Sequence, residues 1–173
     1  MIFITTFTLI TNLIMNVIDD SGVLAISTRL QRLSERLRKD GVQIYNAHGI
    51  VFEPKWFPVM YTLHLKPVLS VVEIACEIGY THPSTISLLK ELEKQKLVRS
   101  KKDKADERKR LLQLTDKGES LIAQMEPVWA IMIAALTEVV ATKNKLMQAV
   151  DEVEAQLDRQ SFLQRAKLLM AGR

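Results

Sequence analysis

The residues with types and spacing suited to chemistry fall between His82 and Arg110. His82 and Pro83 are followed by the hydroxyls of Ser84, Thr85 and Ser87, with Lys90 one turn further on. Short hydroxylated side chains at the start of a helix can donate to or accept from base edges and phosphates, and a helix N-terminus itself favours an anion. From Lys94 to Arg110 the chain holds nine Lys/Arg and three acids, a window of +6 within a net charge of +4, so the remainder sums to −2. A basic patch on an otherwise near-neutral protein is an electrostatic footprint for phosphate. Lys101, Lys102 and Lys104 are suited to neutralising phosphates, and Arg110 completes the cationic set. Arg108 suits insertion into a narrow minor groove, whose negative potential attracts arginine. Asp106, two residues earlier, would orient that guanidinium through a charge-assisted bond.

Other chemistries find little support. There is no nucleophile–base–orienter arrangement and no phosphate-cradling glycine loop, so no catalytic residue, cofactor or enzymatic activity is expected. His48, His64 and His82 are scattered without ligand spacing, which argues against a metal site. The single cysteine, Cys76, excludes an internal disulfide framework and suits a reducing cytoplasm. Cys76 falls out of phase with Ile74, Ala75 and Ile78, beside Glu77 and with no evident cationic neighbour, so a redox role is not expected.

The elements that must position these residues are mostly helices. Hydrophobic residues at 47% supply a core and charged residues at 25% are ordinary for a folded domain. Residues 1–18 carry no charge but lack the flanks of a signal peptide, and with four threonines and two asparagines they make a poor membrane span. Residues 1–14 are taken as an apolar extension, with Met15 as the expected native start. A helix is predicted from Asp20 to about Tyr45, capped by Asp19, Asp20 or Ser21 and with its end made uncertain by Gly41. A second helix from Pro54 to about Leu65 should begin irregularly because Pro58 lacks an N–H. Ser70 and Glu73 form a capping box for a short helix to about Ile78. Gly79-Tyr80 supplies a turn, and Thr81 or His82 caps a helix to about Lys94, with Pro83 at its first position and Ile86, Leu89 and Leu92 inward. Two short helices across a glycine-containing turn make a helix-turn-helix. Leu97-Val98 opens one strand and Lys109 to Leu114 the return strand. Thr115 then caps a long helix interrupted at Pro127, followed by helices over 143–157 and from Ser161 onward.

Ser70 to Gly118 resembles the winged helix-turn-helix of the MarR family of bacterial transcriptional regulators. The wing signature Asp-x-Arg followed by Leu-Thr-x-x-Gly stands here as Asp106-Glu107-Arg108 and Leu114-Thr115-Asp116-Lys117-Gly118. Before it, Leu92-Glu93-Lys94-Gln95-Lys96-Leu97-Val98 is similar to the family's helix-to-strand junction, except that Lys96 replaces the usual glycine. The resemblance covers nearly the whole chain after Met15. It implies a mainly α fold with a small β-hairpin wing, flanked by N- and C-terminal dimerisation helices. The corresponding domains are 15–53 (N-terminal dimerisation helix and turn), 54–118 (DNA-binding domain) and 119–173 (C-terminal dimerisation helices).

The implied function is that of a homodimeric cytoplasmic regulator, a ligand-responsive repressor that binds a pseudo-palindromic operator in double-stranded DNA. A small phenolic or lipophilic effector is the implied ligand, and no membrane is involved. Tyr45, His48, Phe52, Trp56, Phe57 and Tyr61 are the candidates for its pocket, though most of them are expected to be core aromatics. The alternatives are a winged-helix protein-interaction module and a small-molecule-binding protein that does not read DNA.

Overall fold

A computed structural model describes residues 16–102 and 109–172 of the chain. The apolar extension 1–14 and the wing residues Lys104, Asp106 and Arg108 lie outside the described residues. The chain divides into two compact units, Met1–Met125 and Glu126–Arg173.

The first unit opens with a short helix, α1 (Val17–Asp20), a 3-10 turn (Gly22–Ala25) and the long helix α2 (Ile26–Ala47). Asn16, rather than the acids after it, caps α1 by accepting from the backbone of Ile18 and Asp19. Asp19 instead pairs with Arg32 at 2.5 Å and Arg29 at 3.5 Å. Gly41 does not end α2. It is buried within a helix that runs six residues further, to Ala47. The helix tolerates the glycine at a propensity cost of about 1 kcal/mol.

A second 3-10 turn (Pro54–Trp56) leads into α3 (Phe57–Leu65), the irregular start expected of two prolines four residues apart. After a two-residue strand, β1 (Leu69–Ser70), comes α4 (Val71–Ile78). Its capping box is present: the Ser70 hydroxyl accepts from the Glu73 N–H and the Glu73 carboxylate accepts from the Ser70 N–H. These bonds to Ser70 hold the Glu73 carboxyl below the usual carboxylate range. Gly79 ends α4 at φ +67°, a conformation that costs a glycine nothing. Helix α5 (His82–Lys94) follows, capped by Thr81, with Pro83 at its second rather than first position.

The wing is built from β2 (Val98–Lys102) and β3 (Arg110–Leu114), paired antiparallel with Val98 opposite Leu114 and Lys102 opposite Arg110. β1 adds to the other edge of β3, giving the order β1-β3-β2. Val59, Met60, Leu63, Ile74, Leu89, Leu92 and Leu112 form the buried centre between helices and sheet.

Helix α6 (Asp116–Val140) begins in the first unit and runs through Pro127 without a break in its assignment. By length and composition alone it could cross a membrane. In the second unit, α7 (Leu146–Arg159) and α8 (Phe162–Ala171) meet at a tight corner. Ser161 and Gln164 form a capping box there, and the Arg165 guanidinium donates to the backbone carbonyls of Gln156 and Gln160. The start of α7 at Leu146 is three residues later than the pattern predicted, because Thr142 to Lys145 forms a turn that ends with Lys145 at φ +44°.

Candidate nucleic-acid interface

The N-terminal end of α5 presents His82, Pro83, Ser84, Ser87 and Lys90 to solvent. Pro83, Ser87 and Lys90 recur at the i, i+4, i+7 spacing of one helix face, with Ser84 beside them. The Thr81 hydroxyl donates to Ser84 Oγ at 2.9 Å, which leaves the Ser84 hydroxyl proton able to point outward. Thr85 departs from the expectation. It is 0% exposed, in phase with Leu88, Leu89 and Leu92, and its hydroxyl donates to the Thr81 carbonyl at 3.0 Å. Thr85 therefore seals the helix-turn-helix core and offers no atom to a base.

Two carboxylates on α5 would repel a phosphate backbone, and both are occupied within the protein. Glu91 Oε1 accepts from Lys55 Nζ at 2.8 Å and from the Trp56 indole Nε1 at 2.9 Å. The Lys55 bond, then the Trp56 bond, holds the Glu91 carboxyl below its usual range, and the same bond to Glu91 raises the Lys55 ammonium above its own. Glu93 takes Arg110 Nη2 on both oxygens, at 2.8 and 3.0 Å, and the same nitrogen donates to Ser100 Oγ at 2.9 Å. Arg110 thus differs from its predicted role as a presented cation. It is half-exposed and engaged as a strut between the base of the wing and α5.

In β2, Arg99, Ser100, Lys101 and Lys102 are exposed, so this strand of the wing carries its cations to the surface. Register puts Arg99 and Lys101 on one face of the hairpin, opposite Gln113 and Leu111. Ser100 lies opposite the buried Leu112, on the other face.

The junction between α5 and the wing explains the Leu-Thr-x-x-Gly signature. Helix α5 ends with the Lys96 N–H bonded to the Glu93 carbonyl and the Leu97 N–H bonded to the Leu92 carbonyl, the pairing of a Schellman motif. That motif needs a left-handed residue, and Lys96 takes the role at φ +59°. Thr115 holds the turn from the far side. Its hydroxyl donates to the Lys96 carbonyl at 2.7 Å and accepts from the Gly118 N–H at 3.0 Å, and its own N–H bonds the Leu97 carbonyl. Lys117 Nζ adds a bond to the Gln95 carbonyl at 2.9 Å. Gly118 lies against the Leu97 carbonyl with no room for a Cβ.

The six aromatic candidates fall into two groups. Tyr45, Phe52 and Trp56 are buried and stacked edge-to-face, with centroids 5.2 and 5.7 Å apart. Phe57 and Tyr61 stack at 5.1 Å on an exposed face of α3, and His48 is exposed at the end of α2 with Nδ1 2.9 Å from the Ile44 carbonyl. The first group is core, so the six do not form one pocket lining. Cys76 is exposed, as its helical phase predicted. Among the described residues no three His, Cys, Asp or Glu side chains gather in a way that could hold a metal ion.

Sequence reasoning missed Glu91 and Glu93, and the pairing of Trp56 and Arg110 with them. Their donors come from elements distant in sequence, and no local spacing marks such a pairing.

No family model matches the chain. Solved structures do. The transcriptional repressor CouR, solved bound to a 23-mer DNA duplex, is 25% identical with a TM-score of 0.61, covering 79% of this chain and 96% of its own. NadR, solved in complex with 4-hydroxyphenylacetate, is 26% identical with a TM-score of 0.54, covering 76% of this chain and 91% of its own. The M. tuberculosis regulator MosR, solved in complex with DNA, is 19% identical with a TM-score of 0.66, covering 77% of this chain and 96% of its own. These neighbours are MarR-family regulators, and this chain has their winged helix fold.

Proposed function

We propose that this MarR-type winged-helix protein is a homodimeric, cytoplasmic, non-enzymatic regulator of transcription that reads a pseudo-palindromic operator and acts as a ligand-responsive repressor. The observation that carries the reading is α5 itself. Its outward N-terminal face bears Ser84, Ser87 and Lys90, both carboxylates of its last turn are engaged by other elements of the protein, and a cationic strand lies beside it. The likeness to CouR, solved on DNA, supports the same role. In this reading α5 enters the major groove, while Lys101, Lys102 and Lys104 neutralise phosphates and Arg108, oriented by Asp106, reaches the minor groove.

The dimer is supported by apolar faces that one copy leaves uncovered. Val23, Ile26, Leu30, Leu33 and Leu37 line one side of the N-terminal helices, and Phe162, Leu163, Leu168 and Leu169 are exposed on α8. Exposed apolar surface of this kind, present in each unit, marks an interaction site, and a second copy of the chain is the occupant we assign. The apolar run of α6 is likewise assigned to a contact with a second copy rather than to a membrane. Its start is tied to the junction between α5 and the wing by Thr115 and Lys117, and it carries Glu119, Glu126 and Glu138.

The effector we assign is a small phenolic or lipophilic molecule, in keeping with the likeness to NadR, solved with 4-hydroxyphenylacetate. The exposed Phe57–Tyr61 stack, rather than the buried trio, is the aromatic surface available to it.

The test is selection of bound fragments from random and genomic DNA by purified protein, with light scattering of the free and bound protein. An enriched inverted repeat with half-sites about one turn (~34 Å) apart, bound by a dimer, is expected. Recovery of unenriched DNA whose binding merely falls with salt would reject the reading and favour a protein-interaction module.

A further inference from the structure

Base readout depends on how a helix is mounted, and the mounting of α5 uses a carboxylate that no DNA contact requires. Glu91 Oε1 is shared by two donors, the Trp56 indole N–H at 2.9 Å and Lys55 Nζ at 2.8 Å. Both come from the 3-10 turn Pro54–Trp56, and Trp56 is 35 residues away in sequence. The two donors differ in stiffness. The Trp56 ring is 6% exposed and wedged edge-on against Phe52, which is itself edge-on to Tyr45, so its N–H points in one fixed direction. Lys55 reaches Glu91 on a long, exposed stem with many rotamers. The tether that can fix an angle is therefore the indole bond.

Its position on α5 gives it leverage. Glu91 lies seven residues beyond Ser84 and four beyond Ser87, about 10 and 6 Å along the axis at the rise of a helix, and close to the same face. A tilt allowed at Glu91 is carried to Ser84. Functional groups must be held within about 0.5 Å of productive geometry, so a small tilt is enough to misplace a hydroxyl against a base edge.

We infer that Glu91 is a positioning residue, which by accepting the Trp56 indole N–H fixes the angle at which α5 presents Ser84 and Ser87 to base edges. Sequence discrimination then depends on a side chain occupied within the protein, through a bond anchored in the Tyr45–Phe52–Trp56 core. The inference rests on the DNA-reading role proposed for α5 and adds to it the residue that aims the helix.

The experiment is a titration of the full chain with two duplexes, the site selected by the wild type and a scrambled version, at several salt concentrations. Trp56→Phe deletes the donor and keeps an aromatic ring, smaller than the indole, beside Phe52. Glu91→Ala deletes the acceptor. Glu91→Gln keeps an acceptor oxygen for the indole and loses the charge opposite Lys55. The ratio of scrambled to specific Kd is expected to fall about tenfold in W56F and E91A, the size of one lost base contact, and to stay within about twofold of wild type in E91Q. The salt slope should be unchanged in W56F, because loss of a phosphate contact would lower it by about 0.9. A variant that only folds less well loses both duplexes in proportion and keeps the ratio, and if E91A does not fold, W56F carries the test. A wild type that discriminates while W56F keeps its ratio overturns the positioning role alone. A wild type that does not discriminate overturns the DNA reading and this inference with it.

Discussion

The Thr115 hydroxyl donates a 2.7 Å hydrogen bond to the carbonyl of Lys96, the residue that carries a positive φ at the end of α5. One bond thus joins the cap of α6 to the turn between the recognition helix and the wing. It explains how a lysine keeps a conformation usually left to glycine. The surrounding bonds, from Thr115, Lys117 and the Schellman pair, over-determine the turn, and the side chain bears the strain.

Replacing Lys96 with glycine should therefore stabilise the protein. A left-handed L-residue costs about 1–2 kcal/mol, and the extra freedom of glycine in the unfolded chain returns about 0.4–1 kcal/mol of that. The net expectation for K96G is a gain of about 0.5–1 kcal/mol in urea denaturation at unchanged m-value. A loss of stability would mean that the turn is relaxed as it stands.

Gly118→Ala should act in the opposite sense. The added Cβ would meet the Leu97 carbonyl, its carbon at 3.2 Å and its oxygen closer still, and backbone cannot swing aside as a side chain can. A loss of about 1–3 kcal/mol is expected, as for other overpacked sites. Denaturation indistinguishable from wild type would show that α6 can slide away from the junction.

Much of this was legible in the sequence. The capping box at Ser70, the cap at Ser161 and the irregular start before Phe57 follow from residue chemistry within a few positions, whereas a left-handed residue at Lys96 is suggested only by the resemblance. What escaped was set by phase or distance. Thr85 looks like Ser84 in a list of hydroxyls, yet it falls in phase with Leu88 and Leu92 and is buried with them. Arg110 looks like another wing cation until Glu93 and Ser100, from two other elements, are brought to its guanidinium. Gly41 leaves the end of a helix expected to run to about Tyr45 open, and the structure carries it two residues further, to Ala47.

Acid should loosen the mounting of α5. The Glu91 carboxyl is held low by its Lys55 and Trp56 bonds, so its contribution is full above the unfolded value near pH 4.3 and is lost as pH falls through the folded one. The Lys55 ammonium is raised, so its share is full below its unfolded value near 10.4 and is lost only as pH rises through a still higher one. Between these limits the pair adds no pH dependence. The difference in urea midpoint between about pH 7 and about pH 3 should be smaller in E91Q than in wild type. Equal differences would remove Glu91 from the acid response.

Cations and hydroxyls should fail differently on DNA. Lys101→Ala is expected to weaken binding to every duplex about equally and to lower the salt slope by about 0.9. Lys101 lies on the outward face of β2, so its removal should leave thermal unfolding within about 0.5 kcal/mol of wild type. An unchanged salt slope would take Lys101 out of the phosphate contacts.

The most direct test of base readout by α5 repeats the DNA selection with a Ser84→Ala/Ser87→Ala double variant beside the wild type. Both side chains are exposed, so the variant should fold normally. Sequence preference is expected to be lost at a few positions, at the same places in both half-sites, with about 1–3 kcal/mol of discrimination gone per lost contact. An unchanged motif, or a uniform loss of affinity for all sequences, would contradict it.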